Sequence, residues 1–132
     1  MGYRSVVEAV FYTRKKEEYP LLKLYVEENI PKFWRDEDID CLKPLKANNV
    51  WGCHFIAENI KWYTDYSDIR EFNEFAEKFV VFSESKEGMP EKQLNWAYEF
   101  VRLGEQADDV EEHRSDNAEF ILCVRREIEL LP

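Results

Sequence analysis

Two hydrophobic periods divide the chain into predicted strands and helices. Alternating β-branched and aromatic residues predict strands over Tyr3–Arg14 and Leu94–Leu103. Apolar residues at helical spacing predict helices over Lys15–Ile30 and about Asp68–Phe82. Pro20 falls in the first turn of the earlier helix, where a helix tolerates proline.

The remaining segments carry shorter patterns. Val50–Ala57 and Ile60–Thr64 alternate as two strands, and Glu58-Asn59 between them has the length of a hairpin turn. Phe120–Ile128 predicts a last strand, and we expect Phe120, Leu122 and Val124 to face the core. Pro31–Asn49 has no clean period and is interpreted as a loop with one short helical turn.

In chain order these elements run β-α-β-β-α-β-β within a single domain over residues 1–132. The order predicts an α+β fold in which two helices cover one face of an antiparallel sheet. This arrangement resembles a ferredoxin-like β-α-β-β-α-β core with an extra C-terminal strand. Because two helices cannot cover both faces, we expect some aromatic rings to lie on an open sheet face.

Composition narrows the function classes. The 132 residues are 45% hydrophobic and 15% aromatic, which is enough apolar surface for one compact domain. Asp and Glu number 28 against 18 Lys and Arg, a formal net charge of -10. This excess argues against direct binding to nucleic acid or to anionic membranes, because both are bound through clusters of Lys and Arg.

Cysteine usage and the N-terminus indicate the compartment. Cys41, Cys53 and Cys123 form no paired spacing, which is typical of a reduced protein. The chain has no apolar run of the ~18 residues that cross a membrane and no signal peptide at its start. These features predict a cytoplasmic protein.

The sharpest feature is the segment Glu105–Glu119, which we call the acidic arm. It carries seven acids and, among arginine and lysine, only Arg114. These carboxylates repel one another unless cations satisfy them. The arm is interpreted as a solvated loop or as a docking surface for a basic partner; a divalent-metal site is a weaker alternative, because no known ligand spacing is matched. The predicted partner-binding carboxylates are Glu105, Asp108, Asp109, Glu111 and Glu112.

Aromatic and basic residues suggest two further roles. Trp62 and Tyr63 are candidate apolar anchors for the same partner. The alternative hypothesis is a small-ligand site in which an aromatic ring stacks on a base and cations hold phosphate. Its candidate residues are Lys61, Trp62, Arg102, Arg125 and Arg126.

The sequence does not favour an enzyme. Cys53 and His54 are a candidate nucleophile and base, but neighbouring residues of a strand point to opposite faces. We find no nucleophile elbow, no glycine-rich phosphate loop and no zinc-type spacing of Cys and His. We therefore predict no catalytic residues, no cofactor and no bound metal.

Four stretches resemble a family of small acidic proteins of bacteriophages and prophages, whose activity is unknown. They are Met1–Ser5 (MGYRS), Ile60–Tyr66 (IKWYTDY), Tyr98–Glu105 (YEFVRLGE) and Asp108–Glu111 (DDVE). The resemblance implies an accessory protein that acts in the host cytoplasm by binding and blocking a host enzyme or defence component.

Two function hypotheses follow. In the first, the protein is a non-enzymatic inhibitor whose acidic surface occupies a basic surface of a host protein, such as a nucleic-acid groove. In the second, it sequesters a nucleotide or cyclic nucleotide signal. Pairing of an edge strand with a second copy of the chain, as a homodimer, is a further alternative.

Overall fold

The computed structural model describes residues 4–31, 42–84, 96–106, 108–125 and 127–130. Within them the chain forms two helices and seven strands. A short 3-10 turn, Lys16–Glu18, precedes the first helix. The elements are β1 (Ser5–Thr13), α1 (Tyr19–Asn29), β2 (Leu42–Pro44), β3 (Trp51–Ile60), α2 (Ser67–Glu84), β4 (Trp96–Leu103), β5 (Val110–Arg114), β6 (Leu122–Arg125) and β7 (Glu127–Leu130).

The described strands form one antiparallel sheet of five, in the order β2-β3-β1-β4-β5, and a separate pair, β6-β7. The central strand β1 pairs with β3 on one side and with β4 on the other. Side chains of both helices share one hydrophobic core with β1, β3 and β4. The α+β prediction, with two helices on one face of an antiparallel sheet, is confirmed.

The main core lies between the helices and the sheet. Val7, Ala9 and Phe11 alternate along β1 and face the helices, as the period of two predicts. The ring of Phe11 lies 5.2 Å from that of Phe75 and 5.1 Å from that of Phe79, measured between centroids. Burying each such side chain contributes roughly 1.5–3 kcal/mol, so these contacts fix α2 on the sheet.

Neither α2 nor any other helix in the described ranges is long and apolar enough to cross a bilayer.

The opposite face of the sheet carries a second, smaller core. Val10, Tyr12 and Val101 are buried there, covered by Leu122 of β6 and by Leu45. The aromatic residues of β3 and β4 mostly face the helices instead; Trp96 is fully buried in the main core. The expectation of aromatic rings on an open sheet face is therefore wrong for these residues, because a second layer of apolar side chains covers the face opposite the helices.

The predicted hairpin over residues 50–64 is wrong, because β3 continues through Glu58. Ser5 pairs with Ile60 whereas Val7 pairs with Ala57, so one residue of β1 opposes two of β3. This is a β-bulge. The extra residue shifts the alternation of side chains by one, and in the sequence such a break looks the same as a turn.

Two other segments also depart from their predictions. Leu42–Pro44, assigned to a loop, is the short edge strand β2, and residues 32–41 of that loop lie outside the described residues. Phe120–Ile128 is divided between β6 and β7, which pair antiparallel. Apolar and polar residues keep alternating from Leu122 into β7. The chain reversal between β6 and β7 therefore cannot be recognised from the hydrophobic pattern. Leu122 is buried as predicted, but Phe120 is 62% exposed, and the side chain of Val124 lies outside the described set.

Gly52 permits a close approach of β3 to the central strand β1. It is paired with Tyr12, and a Cβ atom at this position would lie 2.6 Å from the Tyr12 Cα and would also overlap the backbone of Phe11. We expect Gly52→Ala to force β1 and β3 apart and to lower the free energy of unfolding by about 1–3 kcal/mol. Urea denaturation measures this. Glu58→Ala, an exposed change on the same strand, is the control, and an equal effect of both substitutions would contradict the account.

Candidate functional site

The acidic arm begins as the second half of a β-hairpin. A turn joins β4 to β5, closed by hydrogen bonds from Gly104 N to Asp109 O (2.8 Å) and from Asp109 N to Gln106 O (3.0 Å). Strand β5 then pairs with β4 from Val110 opposite Leu103 to Arg114 opposite Glu99. Within the arm, β5 therefore forms the edge of the sheet, and its residues have a fixed register against β4.

Arg102 of β4 neutralises two of the predicted docking carboxylates. Its guanidinium donates to both oxygens of Asp109 (2.8 and 3.2 Å) and to Glu111 Oε1 (2.9 Å). A further hydrogen bond reaches Ser5 Oγ at 3.1 Å. The hydrogen bond to Asp109, together with that to Glu111, raises the pKa of Arg102 against the opposing effect of burial. Arg102 thus holds the turn and the first half of β5 on β4.

Arg114 acts in the same way at the other end of β5. Its guanidinium donates to Glu112 Oε1 at 2.7 Å and to the buried Glu99 Oε1 at 3.2 Å. Burial disfavours the charged form, but the hydrogen bonds to Glu112 and Glu99 outweigh it and raise the pKa of Arg114. Each of the two arginines thus serves two carboxylates, and the arm keeps an excess of negative charge.

Glu105 and Asp108 lie at the turn between β4 and β5 and are exposed. Glu105 Oε1 accepts the backbone N–H of Arg4 at 3.2 Å. In the described part of the chain no cationic side chain pairs with Asp108. The five predicted carboxylates therefore lie on one hairpin but differ in state: Asp109, Glu111 and Glu112 are ion-paired, whereas Glu105 and Asp108 are presented to solvent.

Glu99 is the residue of this region that sequence reasoning missed. It lies in the middle of β4, is fully buried, and faces the second core. Its carboxylate accepts hydrogen bonds from Tyr12 Oη (2.7 Å) and from the backbone N–H groups of Ile121 (2.9 Å) and Leu122 (3.0 Å), besides that from Arg114. A lone acid inside an otherwise apolar strand was the signal that could have identified it, since a buried charge requires partners.

The backbone where β6 begins supplies two of the hydrogen-bond donors to Glu99. Phe120 has φ 60°, a left-handed conformation that is strained for an aromatic residue, and the next two N–H groups, of Ile121 and Leu122, point at Glu99. The Arg114 guanidinium stacks over the Phe120 ring at 4.5 Å from its centroid. Glu119 N donates to Tyr12 Oη at 2.8 Å. The buried carboxylate thus ties the C-terminal segment to the sheet.

The two predicted aromatic anchors pack on other aromatic rings. Trp62 is 7% exposed and belongs to the main core, with its ring 5.4 Å from that of Phe72 and 5.8 Å from that of Phe100. Tyr63 is half-buried and packs on Tyr66 at 5.2 Å. Trp62 therefore contributes packing to the fold and offers little surface to a partner.

Two of the predicted ligand-binding residues already have other roles in the described structure. The guanidinium of Arg102 is engaged by Asp109 and Glu111, and Trp62 is buried. Lys61 is half-buried at the end of β3, whereas Arg125 lies on β6, in the separate two-stranded sheet. Arg126 is outside the described residues. A phosphate group would have to displace two carboxylates to reach Arg102.

Cys53 and His54 point to opposite faces of β3, as the sequence predicts for neighbouring residues. Cys53 lies in the main core, where burial raises the pKa of its thiol to about 12. His54 Nε2 lies 2.6 Å from Glu8 Oε1 on the other face. The described residues contain no group of His, Cys, Asp and Glu side chains able to hold a metal ion.

A groove of about 340 Å³ lies between α2 and β5. Its walls are Ala76, Glu77, Val80 and Val81 of α2 and His113 of β5, and Tyr98 and Arg114 complete the lining. Val81 is 70% exposed and His113 is also exposed, with its Nε2 2.6 Å from Glu111 Oε2. The groove therefore adjoins the carboxylates of the arm.

Comparison with known proteins finds no match: no protein-family model, no curated protein and no solved structure is similar to this chain.

The hydrogen bonds of Glu99 with Tyr12, Arg114, Ile121 and Leu122, which we call the Glu99 network, predict how strongly three substitutions destabilise the protein. Glu99→Leu removes the buried acceptor of Arg114, of Tyr12 and of two backbone N–H groups, and we expect the free energy of unfolding to fall by about 3–5 kcal/mol. Tyr12→Phe loses two hydrogen bonds, the one donated to Glu99 and the one accepted from Glu119 N, and is expected to cost about 1–3 kcal/mol. Glu112→Gln, which removes the exposed partner of Arg114, is the control and should cost less than about 1 kcal/mol. Urea denaturation ranks the three, and equal effects would contradict the network.

The Glu111 ion pairs predict a pH dependence. Partial burial disfavours the carboxylate, but hydrogen bonds from His113 and Arg102 outweigh it and hold the pKa of Glu111 below its ordinary value. Because the folded-state pKa is depressed, the stabilisation is complete above the unfolded-state pKa of about 4.3 and is lost as pH falls through the folded-state value. Wild type should therefore exceed Glu111→Gln in stability near neutral pH, and the difference should vanish in acid. A difference constant with pH would contradict this.

Proposed function

We propose that the protein is a non-enzymatic binding protein whose acidic arm docks on a basic surface of another protein. The observation that carries the proposal is that Arg102 and Arg114 are each shared by two carboxylates. Each guanidinium bonds two carboxylates, which keeps the hairpin in a fixed position and leaves it with uncompensated negative charge. A rigid charged surface loses little conformational entropy on binding, which favours association.

Exposed carboxylates at the turn support this assignment. Glu105 and Asp108 lie where the hairpin reaches the rim of the sheet, and Glu112 is exposed on β5. Charges in such positions steer association with an oppositely charged partner and make its rate dependent on salt. The arm is therefore suited to recognition through complementary charge.

We propose further that binding inhibits the partner. A row of carboxylates can occupy a basic groove that otherwise holds the phosphates of a nucleic acid, because both present anionic oxygens to Lys and Arg. This role agrees with the phage accessory family that the sequence resembles, whose members would act in the host cytoplasm. The overall acid excess of the chain, with net charge -10, favours the same class of partner.

For the fold we propose a ferredoxin-like core. The sheet order β2-β3-β1-β4, antiparallel throughout, supports it, with α1 between β1 and β2 in the chain and α2 between β3 and β4. Strand β5 extends this core at one edge, and the β6-β7 pair packs on the face opposite the helices.

Charge reversal at the turn tests the function. In the double variant Glu105→Lys/Asp108→Lys, we expect capture of a host protein from a bacterial lysate at low salt to fall at least about tenfold, because attraction becomes repulsion at two exposed positions. Quantitative mass spectrometry of the eluate measures the capture. Thermal unfolding of the variant should stay close to that of the wild type, since exposed charges contribute little to stability.

The matched control is Glu17→Lys/Glu71→Lys, which changes the net charge equally at exposed positions on the 3-10 turn and on α2. It should capture the same protein as the wild type does. Equal losses for both double variants would show that only net charge matters. Unchanged capture by Glu105→Lys/Asp108→Lys would exclude the arm as the docking surface.

A further inference from the structure

The helix layer covers the sheet unevenly. Helix α2 packs on β4, and α1 packs on β1 and β3. On the next strand, β5, the residues facing the helix side are Glu111 and His113; the Phe100 ring, on the same face of β4, lies 5.5 Å from the His113 ring. Glu111 is half-buried and His113 is exposed, whereas Phe100 is buried. Within the described residues, α2 therefore covers β4 but leaves the edge strand β5 uncovered. The groove lies at this boundary, between α2 and β5.

The groove combines an apolar floor with an exposed apolar wall. Tyr98 and Ala76 are buried at its base, and Val80 and Val81 line the helix side. Val81 exposes 70% of its surface in the last turn of α2, which ends at Glu84. An exposed aliphatic wall beside a cavity of about 340 Å³ is typical of a site that receives an apolar side chain.

The charge around the groove is acidic. Glu77 lies on its rim, Glu111 is adjacent through His113, and the exposed turn with Asp108 lies at the far end of β5. The cation that lines the groove, Arg114, is already bonded to Glu99 and Glu112. An occupant of this surface must therefore pair an apolar stripe with positive charge.

We propose that the groove and β5 receive an amphipathic basic helix of the partner protein, which completes the helix layer over the edge strand. This inference rests on the proposed function and specifies the element that is bound. The five residues of β5 span about 17 Å at the usual strand rise. A helix of about 11 residues has the same length, enough to place an aliphatic residue in the groove and lysines or arginines against Glu77 and the turn.

The test uses a synthetic 14-residue peptide of leucine and lysine with leucine at helical spacing i, i+3, i+4 and i+7. A scrambled peptide of the same composition has the same charge but no apolar stripe. We expect isothermal titration calorimetry with the full chain to show binding of the patterned peptide, and at least tenfold weaker binding of the scrambled one. Methyl NMR should place the shifts at Val80 and Val81.

Two variants separate the groove from the charge of the arm. Val81→Ser removes two methyl groups from the exposed wall and should weaken the patterned peptide about tenfold. Leu24→Ser is the matched control, since Leu24 is 51% exposed on α1, and it should leave the affinity unchanged. Glu105→Lys/Asp108→Lys should weaken both peptides, because it removes the attraction that the two share.

The outcomes distinguish the two proposals. If both peptides bind equally and Val81→Ser has no effect while charge reversal does, the groove proposal is overturned and the acidic docking surface stands. If neither peptide binds, both proposals fall. If sedimentation shows that the isolated chain is a dimer that Val81→Ser dissociates, the occupant of the groove is a second copy and the partner helix is excluded.

Discussion

The fully buried carboxylate of Glu99 is the constraint on which the outer half of the structure depends. A buried charge is tolerated only when hydrogen bonds replace its hydration. Here the partners come from three places: Tyr12 on the central strand, Arg114 on the edge strand, and the backbone of Ile121 and Leu122 where β6 begins. The hydrogen bonds to this one carboxylate therefore connect the central strand, the edge strand and the C-terminal segment. They also account for the left-handed backbone of Phe120, which directs the next two N–H groups toward Glu99.

The surface of the arm has fewer cations than carboxylates. Arg114 and Arg102 are held between strands, and each is shared by two carboxylates, so the acids of the arm divide into those that fix the hairpin and those that remain exposed. Had every acid its own cation, the edge would be neutral. Had none a cation, repulsion among seven acids would oppose the hairpin. The arrangement found gives a hairpin of fixed register that is still negatively charged, and this combination suits recognition of a basic partner.

Periodicity predicted the parts of the fold that are governed by burial. The central strand, both helices and β4 follow from apolar spacing, because their side chains enter a core. Strand β5 was not predicted as a strand, because Glu111, Glu112, His113 and Arg114 have no apolar period and are held by ion pairs across strands. The acids of the site were recognisable from composition. Their pairing was not, since it requires the register of β4 against β5, which no local pattern encodes.

Amide hydrogen exchange of the free protein, followed by NMR, tests whether ion pairs and the hydrogen bonds of Glu99 hold the arm as a rigid charged edge. The N–H groups of Gly104, Ser115, Ile121 and Leu122 are all donors to acceptors across the hairpin or to Glu99. If the arm is held in this way, these N–H groups exchange slowly, at rates set by unfolding of the whole domain. Exchange as fast as in an unstructured peptide would show that the arm is not held on the sheet.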